Sequence, residues 1–500
     1  VADPSGRDSG ASLREQVLRA SVWSTLAELC ARVFPPLVFV VVARLLGPAD
    51  YGVASAGLIV LSFTQTFWDA GLGRALIQYP GELTSASNVV FWTNAALAAV
   101  VYAVLWVLAP WIANSFFKDA RVADVVRVQA LGMFFGAASI VQTALFQRAL
   151  DFKRLFWVRT VSTAVPGLAS IPLAATGFGY WALVAGSLVG QGAQAALLWM
   201  MSHWRPAWRY DRTIARELAK FGAWVTATGL LGWFYTWGDS LWVGMYLNPA
   251  ALGLYRAGAV FVMSVFGLCL SPLLPVAYPT FVRLRNNRDR LVEALLKMTK
   301  LTFFMATGLG VALSVFRRPL ALLVFGQRWA GIENVIGWLG LTMGVAWLVG
   351  LNSEAYRAVG RPDVETKIMS IMLPVYLAGY WVALRHGLAV FLQMRFALAA
   401  VAVVVHLRFA RCILNVGAGR LIREVRFILA AGITAMLGAL LLVDLPGRGS
   451  WTHSLFVGGL IVGAVGAGLV AIELPWLREI WGDLMERRKT IPAAAPADSR

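Results

Sequence analysis

Windows of mostly apolar residues recur along nearly the whole chain, parted by short polar or Gly/Pro-containing breaks. A helix needs roughly 20 such residues to cross the hydrocarbon layer. The pattern predicts about fourteen spans, near 17–46, 51–78, 87–113, 125–147, 154–176, 180–202, 216–246, 251–276, 291–316, 331–356, 364–385, 387–408, 422–443 and 451–473. Little length remains for a soluble domain, so the expected fold class is an all-α polytopic membrane protein. The opening 1–12 stretch is small and polar and lacks the basic-then-apolar order of a signal peptide, so the first span is expected to direct insertion.

Composition supports this reading, with 59% apolar residues, 14% charged residues and a mean hydropathy of +0.68. A net charge of +18 would also suit a nucleic-acid binder, so the placement of the basic residues decides. With the N-terminus inside, most Lys and Arg fall in or beside cytoplasmic segments, which predicts cytoplasmic termini in the bacterial inner membrane. The densest groups are Arg205, Arg209, Arg212, Arg216 and Lys220, then Arg283, Arg285, Arg288 and Arg290, then Arg420, Arg423 and Arg426. They read as topology signals in contact with anionic lipid headgroups; no nucleic-acid partner is expected.

Cys30, Cys269 and Cys412 lie in or at the end of three different spans without CxxC or Cys/His spacing, and the four histidines are scattered. No metal site, cofactor or catalytic residue is expected. GxxxxGK[ST] is also missing, which leaves an ion gradient, the membrane potential or consumption of product as energy source.

A gapless shift of 201 positions aligns 23–57 with 224–258 and superposes LLGPADYGVASAG on YLNPAALGLYRAG, pairing Trp23/Trp224, Pro48/Pro249, Gly52/Gly253 and Gly57/Gly258. Chance likeness between apolar helices accounts for Leu and Val matches but not for a shared turn. Six spans separate the copies, so they share one orientation and predict two parallel six-helix lobes. The expected organisation is an N-lobe over 1–203, a cytoplasmic linker over 204–215, a C-lobe over 216–411, a two-helix appendage over 412–474 and a cytoplasmic tail over 475–500.

An ionisable residue inside a span costs on the order of 2.5–3.5 kcal/mol on insertion scales, so it faces a cavity or a partner. Glu28 and Arg32 stand four apart on one face of the first span, just before Pro35-Pro36. They read either as a cationic anchor with a tuning or ion-binding carboxylate, or as a pair that neutralises itself. Asp69 and Arg74 flank Gly71 and Gly73, which permit close packing or a local break; they read either as an ion-coupling or cavity acid with a cavity cation, or, for Arg74, as an arginine snorkelling to the cytoplasmic surface. Asp239 of span seven and Arg256 of span eight either pair with each other or face the cavity. Glu354 and Arg357 read as a structural pair. Trp224, Trp233, Tyr235, Trp237 and Trp242 crowd span seven, where Trp233, Tyr235 and Trp237 are candidates to stack on sugar rings, with interfacial aromatic belts as the alternative.

At ARLLGPADYG, DAGLGRALIQ, KFGAWVTATG and LLVFGQRW, over about Leu13 to about Pro362, the sequence resembles the Wzx-type polysaccharide flippases of the multidrug/oligosaccharidyl-lipid/polysaccharide (MOP) exporter superfamily, colanic-acid branch. The resemblance implies an inner-membrane flippase that moves undecaprenyl-pyrophosphate-linked oligosaccharide repeat units from the cytoplasmic to the periplasmic leaflet by alternating access, for exopolysaccharide, capsule or O-antigen. It implies contacts with polysaccharide polymerase and export machinery, and a cationic cavity on the first, second and eighth helices, where Arg32, Arg74 and Arg256 lie here. A small-molecule exporter of the same superfamily is the nearer alternative. A membrane glycan polymerase or ligase is the more distant one, since the longest extracytoplasmic loop, near 317–330, carries no paired carboxylates.

Overall fold

The computed structural model describes residue 23 and residues 34–69, 71–442 and 451–490. Helices account for the regular structure, and no strand occurs among the described residues. In chain order the helices are α1 (Phe34–Leu45), α2 (Pro48–Asp69), α3 (Leu72–Gln78), α4 (Leu83–Ile112), α5 (Arg121–Gln129), α6 (Gly132–Arg148), α7 (Phe152–Ala175), α8 (Tyr180–Met201), α9 (Arg212–Tyr246) and α10 (Pro249–Leu270). They continue as α11 (Leu274–Leu284), α12 (Arg288–Val315), α13 (Arg317–Val324), α14 (Ile332–Ala346), α15 (Asn352–Ala358), α16 (Asp363–Leu384), α17 (Leu388–Leu414), α18 (Ala418–Leu442) and α19 (Trp451–Thr490).

Eight of the described helices are long and apolar enough to cross a membrane. Of the other expected spans, the first lies largely outside the described residues, and the rest fall on helices that are short, like α14, or more polar, like α9. Several expected spans are pairs of helices. Span two breaks between α2 and α3, where Gly71 has φ 65°, a left-handed conformation that suits a residue without Cβ. α11 and α13 fall largely between the expected spans, and α19 runs through Pro475 into the expected tail.

Helix starts follow local chemistry. Pro48 and Pro249 occupy the first positions of α2 and α10, where a missing N–H costs nothing. Side chains of Asp151, Asp211 and Asn287 accept hydrogen bonds from the first backbone N–H groups of α7, α9 and α12, at 3.1, 2.7 and 3.1 Å.

The chain forms two compact units. Unit 1 comprises Val1–Cys269, Leu320–Leu339 and Asp363–Leu398; unit 2 comprises Leu270–Pro319, Gly340–Pro362 and Ala399–Arg500. In unit 2, α12 packs against α18 and α19, with Val311, Val315 and Ala435 at the core. Lys300 of α12 and Glu473 of α19 meet there at 2.6 Å, both nearly buried. Glu354 and Arg357 of α15 pair at 3.0 Å, as their spacing predicts.

Unit 1 brings the two copies of the repeat together. A Cβ on Gly52 would fall on the carbonyl oxygen of Pro249, and a Cβ on Gly253 would fall on that of Pro48. This contact is reciprocal, as a two-fold relation between the copies requires. The next repeated glycines also match in role: Gly57 is covered by Val125 and Gln129 of α5, and Gly258 by Val335 and Ile332 of α14. Gly52→Val and Gly253→Val should each push the helix starts apart and cost about 1–3 kcal/mol, the usual scale of overpacking. The check is the thermal transition of the detergent-solubilised protein; wild-type transitions in both variants would show that the contact is slack.

Two of the motif stretches clasp each other in unit 1. Arg44, at the end of α1, donates to the carbonyls of Leu323 and Val324, which close α13, the latter at 3.2 Å. In return Trp329 Nε1 donates to the carbonyls of Ala43 and Leu46 at the end of α1, at 2.7 and 3.1 Å. Terminal carbonyls of a helix lack intrahelical partners, so each stretch satisfies the other's. Phe39, Tyr51 and Phe325 close around this clasp through edge-on ring contacts of 5.7–5.9 Å.

Candidate functional site

The candidate site grows from the reversal between α9 and α10. Because the chain turns at Leu247–Asn248, Asp239 and Ser240 of α9 stand opposite Tyr255 and Arg256 of α10. Asp239 is buried. One carboxylate oxygen accepts from the Tyr255 hydroxyl at 2.7 Å, the other from the Ser240 hydroxyl at 2.9 Å. Its charge partner comes from another part of the sequence: Arg395 of α17 forms an ion pair with it. Arg395 also lies 5.8 Å from the centre of the Tyr255 ring.

Arg256 does not pair with Asp239. Its guanidinium carbon sits 4.3 Å over the Trp237 ring, and Nη1 reaches the Ser240 hydroxyl at 3.3 Å. A guanidinium over an indole face is stabilised by the ring quadrupole, which holds the cation without neutralising it. Among the described residues, two guanidiniums and one carboxylate leave the cluster with excess positive charge. Buried Arg395 Nε has no hydrogen-bond partner among the described residues, so a donor remains unused beside Asp239.

Of the aromatic candidates, Trp233 is buried and spends its indole N–H on the Ser62 hydroxyl at 2.9 Å, with Phe63 edge-on at 4.9 Å. That anchors α9 to α2. Tyr235 instead meets Tyr376 of α16 at 5.7 Å, and Tyr376 stacks on Tyr380. Trp237 alone among the three joins the cationic cluster.

The structure therefore gathers Asp239, Arg256 and Trp237 and leaves the other described candidates elsewhere. Asp69 closes α2, and Arg74 is exposed on α3 beyond the Gly71 break. Glu28 and Arg32 lie outside the described residues. Arg395, an arginine in the middle of the twelfth apolar window, carried a sequence signal, but its partner could not be read from spacing. Tyr255 was hidden because it follows the apolar pattern of its helix.

A family model described as polysaccharide biosynthesis protein matches residues 41–334. Over 405 residues the chain is 24% identical to the succinoglycan biosynthesis transport protein ExoT of Rhizobium meliloti (strain 1021), covering 75% of this chain and 82% of that protein. It is 22% identical to the teichuronic acid biosynthesis protein TuaB of Bacillus subtilis (strain 168), covering 76% and 77%. Its fold is similar to that of the lipid II flippase MurJ in an inward closed conformation, with a TM-score of 0.72 at 13% identity over 91% of this chain and 99% of that one.

Proposed function

Because this chain belongs to the polysaccharide biosynthesis protein family, we propose that it is a flippase that carries undecaprenyl-pyrophosphate-linked oligosaccharide repeat units from the cytoplasmic to the periplasmic leaflet. The observation that carries this reading is the excess positive charge around Asp239. Arg256 and Arg395 lie within apolar helices, where charge is expensive unless something uses it. Arginine suits a pyrophosphate because it keeps its proton and presents forked donors to phosphate oxygens. The unused Arg395 Nε–H is such a donor.

In this mechanism Arg256 and Arg395 attract the pyrophosphate, and Asp239 holds Arg395 in place until the cargo competes for it. Tyr255 and Ser240 fix the carboxylate meanwhile. Arg32 and Arg74 would extend the cationic path on the first and second helices. Movement by alternating access is assigned to lobes 1–203 and 216–411, with 412–474 as an appendage. The reciprocal contact of Gly52 and Gly253 supports that two-fold organisation. No covalent chemistry and no catalytic residue are invoked.

The experiment is deletion of the gene in its source organism. Lipid-linked repeat units should then accumulate on the cytoplasmic side while surface polysaccharide is lost, and the wild-type gene should reverse both effects. Undiminished polysaccharide without accumulation would sink the proposal. Orientation has its own test, since cytoplasmic termini predict that alkaline-phosphatase fusions are active after Lys118 and inactive after Asp211 and Asn286. Activity after Asp211 would reverse the assignment.

A further inference from the structure

A cavity of about 380 Å³ lies in unit 1 between α2, α6, α8 and α9. Its volume falls within the roughly 300–1,000 Å³ range of small-molecule sites. None of the described residues that line it is ionisable. Its polar lining is instead neutral: Gln65 of α2, Gln191 and Gln194 of α8, with Ser62 and Ser139. Carboxamides on otherwise apolar helices are costly in hydrocarbon unless they are hydrogen-bonded. The two serines are engaged, Ser62 through the Ile59 carbonyl and the Trp233 indole, and Ser139 through the Phe135 carbonyl. None of the three glutamine side chains has a protein hydrogen-bond partner among the described residues.

Aromatic faces complete the lining. Trp68 is buried at the cavity, and its indole N–H has no protein acceptor among the described residues. It lies so close to α6 that a Cβ on Gly136 would collide with its ring; a Cβ on Gly132, one turn earlier, would collide with the Gln191 carboxamide. These two glycines thus create the space in which an indole and an amide lie against the helix. A second indole on the lining is Trp237, the same one that carries Arg256.

Carboxamides offer a donor and an acceptor each, which matches the paired donor and acceptor character of sugar hydroxyls. Indole faces match the apolar C–H surfaces of sugar rings. A polyprenyl chain would leave the amides unsatisfied, and a phosphate would find no cation on this lining. We propose that this cavity is the saccharide subsite of the transporter, binding the uncharged sugar rings next to the pyrophosphate, with Trp237 shared between the two. The inference rests on the flippase reading above and adds where the glycan is recognised and by which residues.

The test uses full-length protein purified in detergent and two probes. One is the lipid-linked repeat unit extracted from the source organism lacking this gene; the other is synthetic undecaprenyl pyrophosphate. Dissociation constants are measured for both by thermophoresis. Wild type should bind the glycosylated lipid at least ten-fold more tightly than the bare one. In Gln191→Leu/Gln194→Leu that preference should vanish while affinity for the bare lipid stays unchanged. Gln65→Leu, on a different helix, should reduce it in the same direction.

A wild type without preference, or a double variant that keeps it, overturns the saccharide subsite. Affinities for both probes that do not change in Arg395→Leu overturn the pyrophosphate assignment instead, whatever the sugar preference. Binding of neither probe by the wild type overturns both.

Discussion

Replacing Arg395 by leucine should abolish polysaccharide export and destabilise the protein by about 3–5 kcal/mol, the usual cost of stripping one partner from a buried ion pair. Asp239 would remain buried with only neutral donors, Tyr255 and Ser240, around it. Low protein abundance alone could explain a loss of export, so the decisive variant is Asp239→Leu/Arg395→Leu. Removing both charges leaves an apolar contact, and such replacements are often neutral or stabilising by about 1–4 kcal/mol. The double variant should therefore recover thermal stability and abundance but not export, because the cargo still lacks the guanidinium. Export restored in the double variant would show that the pair only holds α9 to α17. Arg395→Lys keeps the charge and loses the fork; about 1.5–3 kcal/mol for a charge-assisted hydrogen bond corresponds to a roughly ten- to hundred-fold drop in transport rate.

The second large effect is expected at Trp329, which is 1% exposed and bonds two helix-end carbonyls. Trp329→Ala should cost about 3–5 kcal/mol through lost packing and the cavity left behind. Trp329→Phe separates packing from capping. It keeps an aromatic ring beside Tyr51 and Phe325 but frees the carbonyls of Ala43 and Leu46, which should cost about 1–3 kcal/mol. Thermal denaturation in detergent reads both variants. A phenylalanine variant as stable as wild type would mean that the ring alone matters and that water or another donor satisfies those carbonyls.

Hydropathy by itself located the membrane-spanning pattern, because span length follows from bilayer thickness and the 1.5 Å rise of a helix. The repeat was equally legible, since Pro48/Pro249 and Gly52/Gly253 recur as letters at a fixed offset. Why glycine stands there was not legible. That reason is the approach of each glycine to the other copy's proline carbonyl, and it exists only once the copies are packed together. The motif stretches ARLLGPADYG and LLVFGQRW pointed to the family but gave no hint that Arg44 and Trp329 cap each other's helices across more than 280 residues.

At the candidate site the division is sharper. Insertion cost marked Asp239 and Arg256 as residues needing an explanation, since the cost of a charge in hydrocarbon can be read one residue at a time. Partner choice could not be read that way. Sequence proximity allowed Asp239 to pair with Arg256, seventeen positions off, whereas Asp239 pairs with Arg395, 156 positions away, and Arg256 lies on Trp237. The glutamines at 65, 191 and 194 were visible as polar residues in apolar windows, yet only their convergence on one cavity gives them common chemistry. The sequence by itself determined which side chains must avoid lipid, because transfer free energy belongs to the residue. Tertiary structure decided what each one meets instead, because contact energy belongs to a pair, and the pairing depends on which helices stand side by side.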